Sequence, residues 1–309
     1  MKRFKSIVVL AALDDRDKTT LRHVAYFARA AEAENVYLVH IAESFDLPLS
    51  EESGQTESKP VDEELMERMR AEAAEFLSSF SSSTQVDYVV REGNFLGELV
   101  RLTSQKRADL LCLGRLSHNK SDFLNKELLR LVRRSPCSTY IIPSGAEARY
   151  QRILVPVDMS EEAKAPIETA RAIAEHTPGA ALTLLHVYHV PQGWHKLGHS
   201  YEEIALNMKH LAEQQWAELS ATLGLGNVPH TLRLELDDDV NAAILRVADE
   251  IQADLLVVGS HGRTKPAQYL LGSVASSVIE NSQRPVLCVK EKGQVVNLLH
   301  ALLQLYGWE

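Results

Sequence analysis

Ala253-Asp254-Leu255-Leu256-Val257-Val258-Gly259 repeats Ala108-Asp109-Leu110-Leu111-Cys112-Leu113-Gly114 at a distance of 145 residues (253 − 108). Each copy is a short apolar run that ends on glycine. Such a run fits a strand covered on both faces, as in a parallel sheet flanked by helices. Two further pairs keep the same order. Leu38-Val39-His40-Ile41 matches Leu184-Leu185-His186-Val187, 146 residues on (184 − 38), and Ser135-Pro136-Cys137 matches Arg284-Pro285-Val286. Three ordered matches make the chain a tandem repeat.

Around these anchors, apolar runs alternate with helical patterns. In the second half, strands are expected near 152–157, 181–187, 229–236, 254–259 and 285–290. Helices are expected near 161–175, 201–223, 240–251 and 272–282. In the first half the strands fall near 5–11, 36–41, 86–91, 109–114 and 137–142. This alternation predicts an α/β fold of two doubly wound, parallel, five-stranded sheets. Pro143-Ser144-Gly145-Ala146-Glu147 reads as a linker, and the polar stretch Ser50–Lys59 as an insertion after a second strand. The expected domains are 1–146 and 147–292, followed by a tail at 293–309. In that tail Val295, Leu298, Leu299, Leu302, Leu305 and Tyr306 recur at helical spacing. Docking on its own domain is expected of it, with a partner or a dimer contact as the alternative.

Composition agrees with two globular domains. The 309 residues are 45% hydrophobic and 24% charged, and a half of about 150 residues buries roughly 68–70% of its unfolded surface. A net charge of -9 disfavours a nucleic-acid or anionic-membrane partner, though not a small anion held by backbone amides. The three cysteines, Cys112, Cys137 and Cys288, sit in apolar runs and suit buried thiols in a reducing cytosol. Basic Lys2, Arg3 and Lys5 precede the apolar run Ile7–Leu13, but that run stops at Asp14-Asp15. It is expected to be a buried first strand rather than a signal peptide or a membrane span.

The chemistry gathers after the fourth strand of the second half. Gly259-Ser260-His261-Gly262 is followed, nine residues later, by Gly272-Ser273-Val274. Glycines allow a tight turn and let backbone approach a ligand closely. A helix beginning near Gly272 would offer unpaired N–H groups and a positive dipole end to phosphate. Ser273 would add a hydroxyl or help to cap the helix. Asp158 follows Ile153-Leu154-Val155-Pro156-Val157 at the carboxyl end of the first strand of that half, where open α/β sheets bind ligands. Its carboxylate suits ribose hydroxyls or a phosphate-bound metal. Equally, Asp158 or Ser160 could cap the next helix.

Together these features resemble the universal stress protein family, as a tandem pair over nearly the whole chain. Nucleotide-binding members carry Gly-x-x-Gly, nine residues, then Gly-Ser or Gly-Thr, and residues 259–273 fit that pattern. The resemblance implies a Rossmann-like fold binding ATP, with the halves packed as an internal pseudo-dimer and the chain able to form a homodimer. Adenine would lie near Pro156, Asp158 and the backbone of Val187, and ribose near Asp158 and Gly259. The triphosphate would meet Gly262, Gly272, Ser273 and Val274. Val157, Val258, His261 and Arg263 complete the expected nucleotide-binding set. Mg²⁺ would accompany the phosphates.

The first half departs from that pattern. Arg115-Leu116-Ser117 follows Gly114, and Glu127-Leu128 stands where Gly-Ser would be. A carboxylate there repels phosphate, so one ATP site per chain is expected, in the second half. No Walker loop, Rossmann glycine triplet or nucleophile elbow is present, and no residue is assigned a catalytic role. His186 and His189 would face opposite sides of one strand, and His195 and His199 flank Gly198 in a loop; no metal site is assigned. The expected function is a cytoplasmic, ATP-binding stress-response module that regulates or binds a protein partner. The alternatives are a slow ATPase using the same site and a non-catalytic scaffold for another small ligand.

Overall fold

The computed structural model describes residues 3–42, 61–115, 123–262 and 271–291. The chain divides into two compact units, Lys2–Ala146 and the remainder from Glu147 onward. The Ser50–Lys59 insertion and the 293–309 tail lie outside the described residues.

The first unit runs β1 (Ser6–Leu10), α1 (Arg16–Ala31), β2 (Asn35–Ala42), α2 (Val61–Leu77), β3 (Gln85–Glu92), α3 (Phe95–Gln105), β4 (Leu110–Arg115), α4 (Phe123–Arg134) and β5 (Ser138–Pro143). Its strands pair in parallel in the order β3-β2-β1-β4-β5. The second unit runs β6 (Arg152–Pro156), a 3₁₀ turn (Glu161–Ala163), α5 (Lys164–Glu175), β7 (Ala181–Tyr188), a 3₁₀ turn (Trp194–Leu197), α6 (Tyr201–Ala221), β8 (His230–Leu236), α7 (Val240–Glu250), β9 (Leu255–Gly259), α8 (Ser273–Asn281) and β10 (Val286–Val289). Its parallel order, β8-β7-β6-β9-β10, is the same.

The strands form where the apolar runs stand. β1, β4, β5 and β10 are buried along their whole lengths, as strands covered on both faces must be. The helices supply the cover through one face each. In α3, Leu96, Leu99 and Leu102 are buried at helical spacing, and in α7, Ala243, Ile244, Val247 and Ala248. Asn94 and Asp239 start these two helices by accepting from the Gly97 and Ala242 amides. Ser200 and Glu203 close a reciprocal capping box on α6. The outermost strand β8 carries Arg233 and Glu235, linked with Arg246 and Glu250 of α7 in an ion-pair network. Charges on an exposed edge oppose pairing with a stray strand.

The repeated Ala-Asp-Leu-Leu segment owes its aspartate to the fold. Asp254 Oδ2 accepts from the backbone amides of Gln151 and Arg152, and Asp109 Oδ2 accepts from those of Lys5 and Ser6. Each carboxylate thus ties the entry of the central strand to that of its neighbour. All three cysteines are buried and none is joined in a disulfide among the described residues. Burial pushes the Cys288 thiol up to about 11, which leaves it inert as a thiolate nucleophile.

Two outcomes follow for stability. Asp254→Ala should cost the second unit about 2 kcal/mol, the range for charge-assisted bonds lost at a partly buried site; a lowered urea midpoint would register it. In the first unit, buried His23 meets the Tyr140 hydroxyl at 2.8 Å and the Ala146 carbonyl at 3.2 Å. Its burial lowers the imidazole pKa from 6.5 to about 4. The unfolded chain therefore takes up this proton first as pH falls. The His23 contribution is present above pH 6.5 and lost progressively on acidification toward about 4. His23→Gln should flatten that part of the stability–pH curve.

Candidate functional site

At the carboxyl ends of β6, β7 and β9 the second unit opens a cleft of about 520 Å³. It lies where the strand order reverses direction, since β6 leads to β7 on one side and has β9 on the other. A volume of this size suits a small-molecule ligand.

The chain leaves β6 through a fixed turn. Val157 N–H donates to the Leu185 carbonyl at 2.8 Å, and the Val157 carbonyl bonds His186 Nδ1 at 2.8 Å. With Nδ1 donating, the ring is held in one tautomer and orientation. Met159 then takes a left-handed backbone (φ 62°). Asp158 Oδ1 accepts from the Ser160 amide at 3.1 Å and its hydroxyl at 2.6 Å. Asp158 therefore shapes the turn rather than capping the following helix, and Ser160 makes no side-chain cap either.

The other wall is the loop after β9. Ser260 N–H donates to the Val289 carbonyl, and the Ser260 carbonyl takes the Gly272 amide at 2.9 Å, which returns the chain to its own start. Gly272 is the N-cap of α8 and has no side chain with which to cap it, and Ser273 stands in the first turn of that helix. Its first-turn amides and positive dipole end face a cleft that Gly272, Ser273, Val274 and Ala275 line.

The loop glycines are required for closeness, not for turning. None of Gly259, Gly262 and Gly272 is among the positive-φ residues. A Cβ on Gly262 would come within 2.6 Å of Asp158 Oδ2. The loop thus lies directly on the carboxylate, and Asp158 and Gly262 form one surface of the cleft. His261 joins them, its Nδ1 2.9 Å from Ser260 Oγ.

Of the residues singled out from sequence, Pro156, Val157, Asp158, Val187, Val258, Gly259, His261, Gly262, Gly272, Ser273 and Val274 all line this cleft. Arg263 lies outside the described residues. The cleft also takes in Glu162, Pro166, Leu185, Val240 and Ile244, which sequence reasoning passed over, and His189, which it weighed only as a metal ligand. Val240 and Ile244 are spaced i, i+4 on α7, a legible helix face whose destination only the crossover reveals. His189 corrects the expectation of opposite faces. β7 ends at Tyr188, so His189 is off the strand and shares the cleft with His186. Among the described residues, no three His, Cys, Asp or Glu side chains converge as metal ligands.

The model of the universal stress protein family matches residues 3–143 and again 149–290. The chain belongs to the universal stress protein family. The family's domain occurs twice in tandem, once in each unit. A universal stress protein of Methanocaldococcus jannaschii is 28% identical over 166 residues, which cover 46% of this chain and 96% of that protein. A solved structure of a functionally unknown protein from Pseudomonas aeruginosa PAO1 shares the fold over 98% of both chains, with 17% identity and a TM-score of 0.68. A universal stress protein solved in complex with cAMP is 25% identical, covering 46% of this chain and 97% of its own, with a TM-score of 0.34. Among the described residues no helix is long and apolar enough to cross a membrane.

The first unit keeps Gly114, the counterpart of Gly259, for a packing reason. A Cβ there would stand 2.6 Å from Thr20 Oγ1 and 2.9 Å from Arg16 Cβ on α1. Gly114→Ala should therefore destabilise the first unit by about 1–3 kcal/mol, as overpacking does. Gly262→Ala meets the Asp158 carboxylate, held on its other oxygen by Ser160, rather than a helix Cβ, and should cost less than Gly114→Ala. Thermal unfolding of the two variants would show the difference.

Proposed function

We propose that the second unit binds ATP and that the protein is a cytosolic module whose binding to a protein partner responds to that nucleotide. The carrying observation is the cleft, which joins an apolar end to a helix start whose N-cap is a glycine. Pro156, Leu185, Val187, Val240 and Ile244 offer a flat base an apolar slot. Asp158 stands midway, with one oxygen engaged by Ser160 and the other toward Gly262, where ribose hydroxyls would reach it. The α8 amides and the Ser273 hydroxyl suit phosphate oxygens. Mg²⁺ would enter with the phosphates rather than on a preformed protein site.

Adding a side chain at Gly262 or Gly272 tests the reading. Calorimetric titration of pure protein with ATP should give one site per chain. Gly262→Leu or Gly272→Leu should weaken binding at least tenfold while circular dichroism stays unchanged. Undiminished affinity in folded variants would refute the assignment. Competition with cAMP in the same titration would show whether the cleft requires a triphosphate, and phosphate release would show whether bound ATP turns over.

A further inference from the structure

The two units share a backbone frame at the mouth of the sheet, and what fills it differs. Ala11 N–H donates to the Val39 carbonyl and the Ala11 carbonyl bonds His40 Nδ1. Val157, Leu185 and His186 do the same 146 residues later (157 − 11, 186 − 40). Leu13 is left-handed at φ 58° where Met159 is at 62°. In this register Ala12 stands for Asp158, Thr20 for Pro166, and Asp17 for Ala163 (163 − 17 = 146).

Ala163 lines the open cleft of the second unit. Asp17, by contrast, turns back over the first unit's loop. Its Oδ1 accepts from Ala12 N–H at 2.9 Å and its Oδ2 from Leu13 N–H at 2.7 Å. Successive backbone amides of this kind form an anion-binding concavity, and here the anion is the chain's own. A helix cap would bind the amides of α1, which follow it. Asp17 instead binds amides that precede it, so it does not serve as a cap. The space left beside it is about 10 Å³, enough for a single water, and is lined by Ala11, Thr20, and Met69 and Glu72 of α2. Arg68 of α2 donates to the Leu13 carbonyl at 3.2 Å.

We infer that Asp17 is an internal plug: its carboxylate occupies the amides at the first unit's cleft and, with α2 laid over it, shuts that unit to external anions. The missing glycine loop is then only half of the asymmetry, because the vestigial site is actively filled. The filling is costly, which argues that the residue has a task. Asp17 is 4% exposed, and burial pushes its carboxyl up to about 7, with Glu72 and Asp14 raising it further and the two amides opposing. The nearby cations are engaged elsewhere, Arg16 with Asp14 at 2.6 Å and Arg68 with the Leu13 carbonyl.

The test has two independent arms. In full-length protein, Asp17→Ala should speed hydrogen exchange at the Ala12 and Leu13 amides, and along α2, at least tenfold. Asp17→Asn, which keeps one oxygen acceptor and the shape, should release one amide only and serves if Asp17→Ala does not fold. Unchanged protection in the folded variant would overturn the plug. In the second arm, Ala163→Asp transplants the plug and should weaken ATP binding at least tenfold, with Ala163→Ser near wild type. A plugged second unit that still binds ATP normally would also overturn the inference. This arm rests on the ATP reading. If wild-type protein takes up no ATP, that reading fails and the exchange arm alone decides the plug.

Discussion

The way the chain leaves its central strand governs much of what this protein presents to solvent. At Val157 the peptide is held from both sides, its N–H by the Leu185 carbonyl and its carbonyl by the His186 imidazole. The exit is thereby fixed in direction before the left-handed step at Met159. Everything that follows inherits that direction: where the Asp158 carboxylate lies, how close the Gly262 loop comes, and whether α5 clears the strand end at Gly259. The first unit has the same grip at Ala11 with different side chains around it. One frame supports an open cleft in one unit and a packed interior in the other.

The frame also explains why glycine serves different ends in the two copies. At Gly259 the missing Cβ leaves room for the loop that follows, the His261 carbonyl lying 3.1 Å from where it would stand; at Gly114, its counterpart, it lets a helix rest on a strand. Neither needs an unusual backbone angle. A glycine shared by both copies therefore carries no functional meaning by itself. Its meaning comes from which neighbour occupies the space.

Most of the architecture was legible in the residues. Ile153–Val157 and Leu255–Val258 are near-continuous apolar runs bounded by polar residues or glycine, and such runs have few places to go but the centre of a parallel sheet. The glycine spacing of 259–273 was readable because it spans a whole strand–loop–helix transition. The roles of particular polar residues were harder to see. Asp254 stood out only as part of a repeated strand segment and proved to be a clamp on the start of β6. Asp17 had no distinguishing signal, because an acidic residue in a first helical turn is commonplace, and only coordinates show that its bonds point backwards. The contribution of α7 to the cleft was hidden for another reason. Periodicity reveals that Val240 and Ile244 share a face but not what that face meets.

The aspartate clamps at Asp109 and Asp254 sit at the amino ends of the strands, and the cleft sits at the carboxyl ends, a full strand length away. That separation divides the labour of the domain in space. One rim carries the bonds that hold the sheet in register, while the opposite rim can trade serine for arginine or alanine for aspartate without disturbing them. After a gene doubles, such a layout lets one copy drift into a new chemistry while its partner keeps the old, because neither change passes through the part that keeps the fold standing.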